Sequence, residues 1–182
     1  MATTKWVVDP THSEIGFKIK HLMITNVSGK FDAFEAEVQA EGEDFATAQI
    51  EARIKTSSIN TGNLQRDEHL RNSDFFEVEK YPELQFKSTK IEKRDSDNYI
   101  LYGDLTLKGV TKPIHVNVEF NGIAKDPWGG ERAGFVVTGK INRSDWGVSF
   151  NSILETGGVA LSEEVKISSE LELVKQEIGV PA

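Results

Sequence analysis

The stretch AQIEARIKT, residues 48–56, decides the fold. Ala48, Ile50, Ala52 and Ile54 alternate with Gln49, Glu51, Arg53 and Lys55. Successive side chains of a strand point to opposite faces, so this order makes one dry face and one wet face; a helix would scatter the same residues around its circumference.

The same period of two recurs outward from it. Ile15, Phe17 and Ile19 alternate with Glu14, Lys18 and Lys20, and Ile114, Val116, Val118 and Phe120 with His115, Asn117, Glu119 and Asn121. Ala133, Phe135, Val137, Gly139 and Ile141 form another dry face, and Val165, Ile167, Leu171 and Leu173 the last. Between Phe31 and Val38 the parity slips: Phe31 and Ala33 share one face, Phe34, Ala36 and Val38 the other. Such a slip marks a bulge or a bend, which barrels use to turn corners. With GKFDAFEAEVQ, LQFKSTKIEK and NYILYGDLTL added, and with AEGED, KRDSDN and KDPWGG as turns, the count reaches about eight strands. An all-β antiparallel barrel or a sandwich follows. Helical signals are short: HLMITN (21–26), NLQRDEHLRNSDFF (63–76) and RSDWG (143–147). In the middle one, Thr61 or Asn63 caps the start, and Asp67 and Arg71 stand at the pairing distance i,i+4.

The chain has 182 residues, one domain's length, with 21 Lys and Arg against 29 Asp and Glu for a net charge of −8. That field repels phosphate backbones, and no basic stripe offsets it, so nucleic acid is not an expected partner. No apolar run approaches the length of a membrane span, and MATTKWVVDP lacks the apolar core of a secretory signal. A cytoplasmic protein is the expectation, with a periplasmic one whose leader has been removed as the alternative. There is no cysteine, hence no disulfide, thiol nucleophile or zinc-thiolate site.

Catalytic and metal signatures are absent. His12, His21, His69 and His115 show no HxH, HxxxH or HExxH spacing, so neither a metal nor a cofactor is expected. There is no GxSxG elbow, and DPWGGERAG lacks the lysine and the strand-to-helix setting of a phosphate loop. The dry faces mix large residues (Phe17, Phe31, Phe86, Phe120, Phe135) with small ones (Ala48, Ala52, Gly103, Gly139). Patterning alone leaves two alternatives: a cavity for one apolar ligand, or a barrel filled by its own tapered packing.

Four blocks carry a resemblance: WVVDPTHSEIGFKIKHLMITNVSGKF (6–31), SSINTGNLQRDEHLRNSDFFEVEKYPELQFKS (57–88), YGDLTLKGVTKPIHVNVEF (102–120) and AGFVVTGKINRSDWGV (133–148). In order and spacing they resemble the YceI-like, polyisoprenoid-binding family. The resemblance implies a single eight-stranded lipocalin-like β-barrel over residues 1–174 with a flexible tail at 175–182. It also implies a lumen that takes a long isoprenoid or similar amphiphilic lipid for carriage, storage or sensing, and a second copy as a candidate partner.

On that reading, parity picks Phe17, Ile19, Phe31, Ile50, Ile54, Phe86, Leu105, Phe135 and Trp146 as chain contacts. Arg66, His69, Arg71 and Arg143, beside the helical segments, are the candidates for a polar head group. The alternatives are an enzyme acting on the lipid through His21 or His69, and an interaction module with a filled core.

Overall fold

The structure is a computed structural model that describes residues 3–22, 24–149 and 161–176; positions 177–182 of the expected tail lie outside them. Strands β1 (Thr3–Val8), β2 (Glu14–His21), β3 (Thr25–Phe31), β4 (Phe34–Glu41), β5 (Asp44–Lys55) and β6 (Ile59–Asn60) come first. Helix α1 (Leu64–Arg71) follows. Then come β7 (Glu83–Lys93), β8 (Asn98–Leu107), β9 (Val110–Lys125), β10 (Glu131–Asn142) and β11 (Leu161–Gln176).

All pairings are antiparallel, in the order β1-β4-β5-β7-β8-β9-β10-β11, and β1 pairs back onto β11 to close the barrel of eight strands. The remaining strands extend three of these. Beyond β1, β2 continues along β11 from Glu14↔Glu170 to His21↔Leu161; β3 and β6 likewise extend β4 and β5, with Phe31 facing both Ile15 and Ile59. The three breaks, at Asp9–Ser13, Asp32–Ala33 and Thr56–Ser58, are side by side, so the sheet bends along one line across three strands. The parity slip after Phe31 is this bend.

The barrel therefore has two ends. The turns at 42–43, 94–97 and 126–130 form the floor end; the β2–β3 turn, α1, the β8–β9 turn and the 3-10 turn Arg143–Trp146 form the rim end. Two expectations need correction here. Leu22 and Ile24 of HLMITN belong to the β2–β3 turn, not to a helix, with Met23 outside the described residues. Leu22 has φ 54°, which a continuing helix does not accept. Asp67 does not pair with Arg71: its Oδ1 accepts from Thr61 N (2.9 Å) and Thr61 Oγ1 (2.6 Å), while Asn63 caps the helix by accepting from Arg66 N at 3.0 Å. Satisfying the buried Asp67 carboxylate with the turn N–H and hydroxyl is worth more than a solvated i,i+4 ion pair.

Outside the barrel, the first break is tied to the floor end by charge. Arg132 Nη1 stands 2.7 Å from both Asp9 Oδ2 and Glu172 Oε2, Arg132 Nε is 3.2 Å from Asp126 Oδ2, and His12 Nδ1 lies 2.8 Å from Asp9 Oδ2. Hydrogen bonds from His12 first, then Arg132 and Thr11, hold the Asp9 carboxyl well below the ordinary carboxylate range. Asp9, His12 and Glu172 have the geometry of a metal-ligand set, but the Arg132 guanidinium already supplies the cation there.

A carboxyl with a lowered folded-state pKa stabilises above its unfolded value, near pH 4, and loses that contribution as pH falls through the folded one. Arg132→Met is therefore expected to lower Tm most at neutral pH, and the gap from the parent is expected to narrow progressively below about pH 4. Paired thermal melts across pH 2–7 check this; a gap constant with pH would show that only packing was lost.

Candidate functional site

The inward faces enclose a chamber of about 210 Å³. Among the described residues every lining side chain is aliphatic or aromatic, with the Tyr99 phenol as the only polar group, and burial pushes that phenol's pKa up. Ala36, Ala48 and Ala52 supply the width: where large side chains would meet across the lumen, these stop at a methyl. Gly103 does the same for the wall, since a Cβ there would lie 2.4 Å from the Phe86 ring. The outward partners Gln49, Glu51, Arg53 and Lys55 are exposed, so the barrel is wet outside and dry inside.

Two bulges build the floor. Gln39 faces Gln49, yet Glu41 faces Asp44, so β5 holds extra residues opposite Ala40. Thr47 Oγ1 braces the irregularity by accepting from Glu41 N (2.9 Å) and donating to Asp44 O (2.6 Å). This flips the parity of β5, so Phe45, an odd-numbered position like wet Gln49, points into the chamber. In the same way Gly134 faces Gly122 while Phe135 faces Phe120, with Gly122 at φ 107° taking the kink. The result is a stack of rings: Phe45 to Phe135 5.0 Å, Phe45 to Phe120 5.3 Å, Phe120 to Phe135 5.3 Å, with fully buried Trp6 behind at 5.4 Å from Phe45.

At the other end the bent-over strands carry a second aromatic layer. Phe17 and Phe31 are 5.7 Å apart, and Phe31 meets Phe76, just after α1, edge-on at 5.9 Å. Of the expected contacts, Ile50, Ile54, Phe86, Leu105 and Phe135 line the chamber. Phe17, Ile19, Phe31 and Trp146 do not: the first three belong to the rim-end extension, and buried Trp146 donates Nε1 to Leu105 O at 2.9 Å.

None of the expected head-group residues lines the chamber either. Arg66 donates Nε to Thr61 Oγ1 and Nη2 to Thr61 O, both at 2.7 Å. Arg71 donates to Ser57 O (2.9 Å) and Ile59 O (3.3 Å). Arg143, buried, donates to Ser162 O (2.9 Å) and Val148 O (2.8 Å), and burial lowers its pKa. His69 Nε2 meets Asp74 Oδ2 at 2.8 Å, with its ring edge-on to Phe75. These groups fasten the rim. Exposed His21, at the end of β2, is likewise not a lining residue.

A closed antiparallel barrel with a wet exterior and an apolar chamber is a lipocalin-like barrel. Its sequence places it further: the chain belongs to the YceI-like domain family, whose pattern matches residues 6–173. It is 42% identical over 170 residues to the UPF0312 protein SA2479 of Staphylococcus aureus strain N315, covering 93% of this chain and 96% of that one. The solved YCEI protein of Campylobacter jejuni is 37% identical, with a TM-score of 0.75 over 93% of this chain and 96% of its own. A polyisoprenoid binding domain from Saccharophagus degradans shares the fold at 15% identity, with a TM-score of 0.69 over 94% and 98% of the two chains.

Removing one ring tests the floor. Phe45→Ala is expected to cost about 3 to 5 kcal/mol in urea unfolding, since the void cannot fully collapse between Trp6 and Phe135. A long n-alcohol is expected to raise the Tm of this variant more than that of the parent, because it refills the deepened chamber; equal shifts would mean that the chamber does not reach the floor.

Proposed function

We propose that the protein binds a linear apolar chain, an isoprenoid or similar amphiphilic lipid, inside the barrel, and carries, stores or senses it without chemistry. The observation that supports this most directly is the uniformly apolar lining of the chamber. A water needs roughly 10–15 Å³ of such space, so 210 Å³ holds on the order of ten to twenty chain atoms, or two to four prenyl units. A longer chain continues outside the chamber. Burying about 400 Å² of such a chain contributes about 10 kcal/mol before association costs of several kcal/mol, which leaves useful affinity.

The lining also supports a reading without chemistry. A general acid or base has to come within hydrogen-bond reach of the reacting group. The histidines considered for catalysis, His21 and His69, are not lining residues. The barrel shared with the polyisoprenoid binding domain of Saccharophagus degradans fits this reading. That likeness carries the fold, and the lining carries the ligand class.

Ala52→Phe fills the chamber without touching the wet face. It is expected to reduce uptake of farnesol at least tenfold while leaving Tm unchanged or raised, as read by native mass spectrometry and a thermal melt. Lipid recovered from the parent protein is expected to be chemically intact. Undiminished uptake by the filled variant, or a converted lipid in the extract, would overturn the proposal.

A further inference from the structure

The barrel wall is not continuous. β5 and β7 pair only from Glu51↔Lys87 to Lys55↔Glu83, the rim half of each strand. Toward the floor, Asp44, Gln49 and Ile50 of β5 pair with β4 alone, and Ser88 and Lys90–Lys93 of β7 with β8 alone. Where the two strands part, Ile50 N donates to the Ser88 side chain at 2.8 Å instead of to a main-chain carbonyl. Directly after it β7 bulges: Ser88 faces Gly103 and Lys90 faces Tyr102, leaving Thr89 extra.

A cavity of about 360 Å³ fills the opening. Its lining includes Ala48 and Ile50, which also line the apolar chamber, together with Gln49 and Glu51 from the opposite face of the same strand. Residues from both faces of a strand can border one space only where that space passes the strand's free edge. The slot therefore runs along the free edge of β5 and shares Ala48 and Ile50 with the chamber, in the half of the barrel away from α1.

Its chemistry differs from the chamber's. Gln39, Gln49, Ser88 and Thr89 offer neutral donors and acceptors, and the Ser88 hydroxyl donates to no acceptor among the described residues. The charges around it are matched. Lys87 Nζ is 3.8 Å from Glu51, Lys90 Nζ is 2.7 Å from Glu92 and 5.5 Å from the centre of the Tyr102 ring, and Glu37 faces Lys5 at 3.6 Å. An anion would compete with these carboxylates for the lysines; a hydroxyl or carbonyl would not.

Resting on the binding function proposed above, we infer that this slot is the portal of the chamber and holds the ligand's polar head, a neutral hydroxyl or carbonyl group rather than a phosphate. The chain lies inward past Ala48 and Ile50, between the aromatic layers at the floor and the rim. The ligand enters and leaves through the side wall.

Because the chain has no cysteine, a single introduced thiol reports its own position. Gln49→Cys places one at the slot, and Asn72→Cys places one at the rim; both positions are exposed. Farnesol is expected to slow alkylation of Gln49→Cys by maleimide at least tenfold and to leave Asn72→Cys unchanged. Farnesol is also expected to bind at least tenfold tighter than farnesyl diphosphate. Protection at residue 72 instead of 49, or tighter binding of the diphosphate, would overturn the portal while leaving chamber binding intact. Displacement of farnesol by an extended peptide that protects residue 49 would reassign the slot to strand addition. If the parent protein takes up no farnesol, the binding function fails and the portal with it.

Discussion

Closure of the barrel rests on β11. Its 16 residues are paired along one edge by β10 and along the other by two strands in succession, β2 toward the rim and β1 toward the floor. An open sheet of this length would leave two unpaired edges, whereas pairing β1 with β11 removes them and wraps the dry faces around a common axis. The division of labour on that one strand also fixes where the sheet bends. Between the stretches held by β2 and by β1 lies the break at Asp9–Ser13, and β3/β4 and β5/β6 break beside it. The bend carries Phe17 and Phe31 over the rim and leaves the lower barrel as the chamber.

How much of this was legible follows from where the period of two holds. Along AQIEARIKT it is unbroken, and each inward residue picked there, Ala48, Ile50, Ala52 and Ile54, lines the chamber. It fails at bulges, which add a residue without any change in composition. Phe45 shares its parity with Gln49 and Glu51 and so reads as wet, although the bulge at Ala46–Thr47 turns it inward. Asp44 and Thr47, residues whose short polar side chains bond to nearby main chain, were the local signal. The rim residues lie outside the chamber for a different reason. Parity states which face Phe17 and Phe31 occupy, but not that the face is folded over beyond the lumen.

The charged run of α1 illustrates a third limit. Arg66, Asp67, His69 and Arg71 crowd together as catalytic groups do, yet their partners are Thr61, Asp74 and the carbonyls of Ser57 and Ile59. Density of charge in a sequence shows that polar bonds are needed, not what they are for. Here they connect the long β6–β7 excursion to a barrel whose inward contacts are almost wholly apolar. The side slot is legible from the opposite kind of signal, because Ser88 and Thr89 interrupt an alternating strand with small hydroxyl residues at the point where its pairing stops.

The two ends of the barrel are fastened by different chemistry. At the rim, Arg66, Arg71 and Arg143 grip main-chain carbonyls, which do not titrate. At the floor, Arg132 is held by the carboxylates of Asp9, Asp126 and Glu172, and hydrogen bonds from His12 and then Arg132 hold the Asp9 carboxyl well below the ordinary range. Acid therefore reaches one fastening that the arginine-to-carbonyl bonds lack: protonating Asp9 removes a charge that ties the first break to Arg132 on β10, and the seam between β1 and β10 loses that tie.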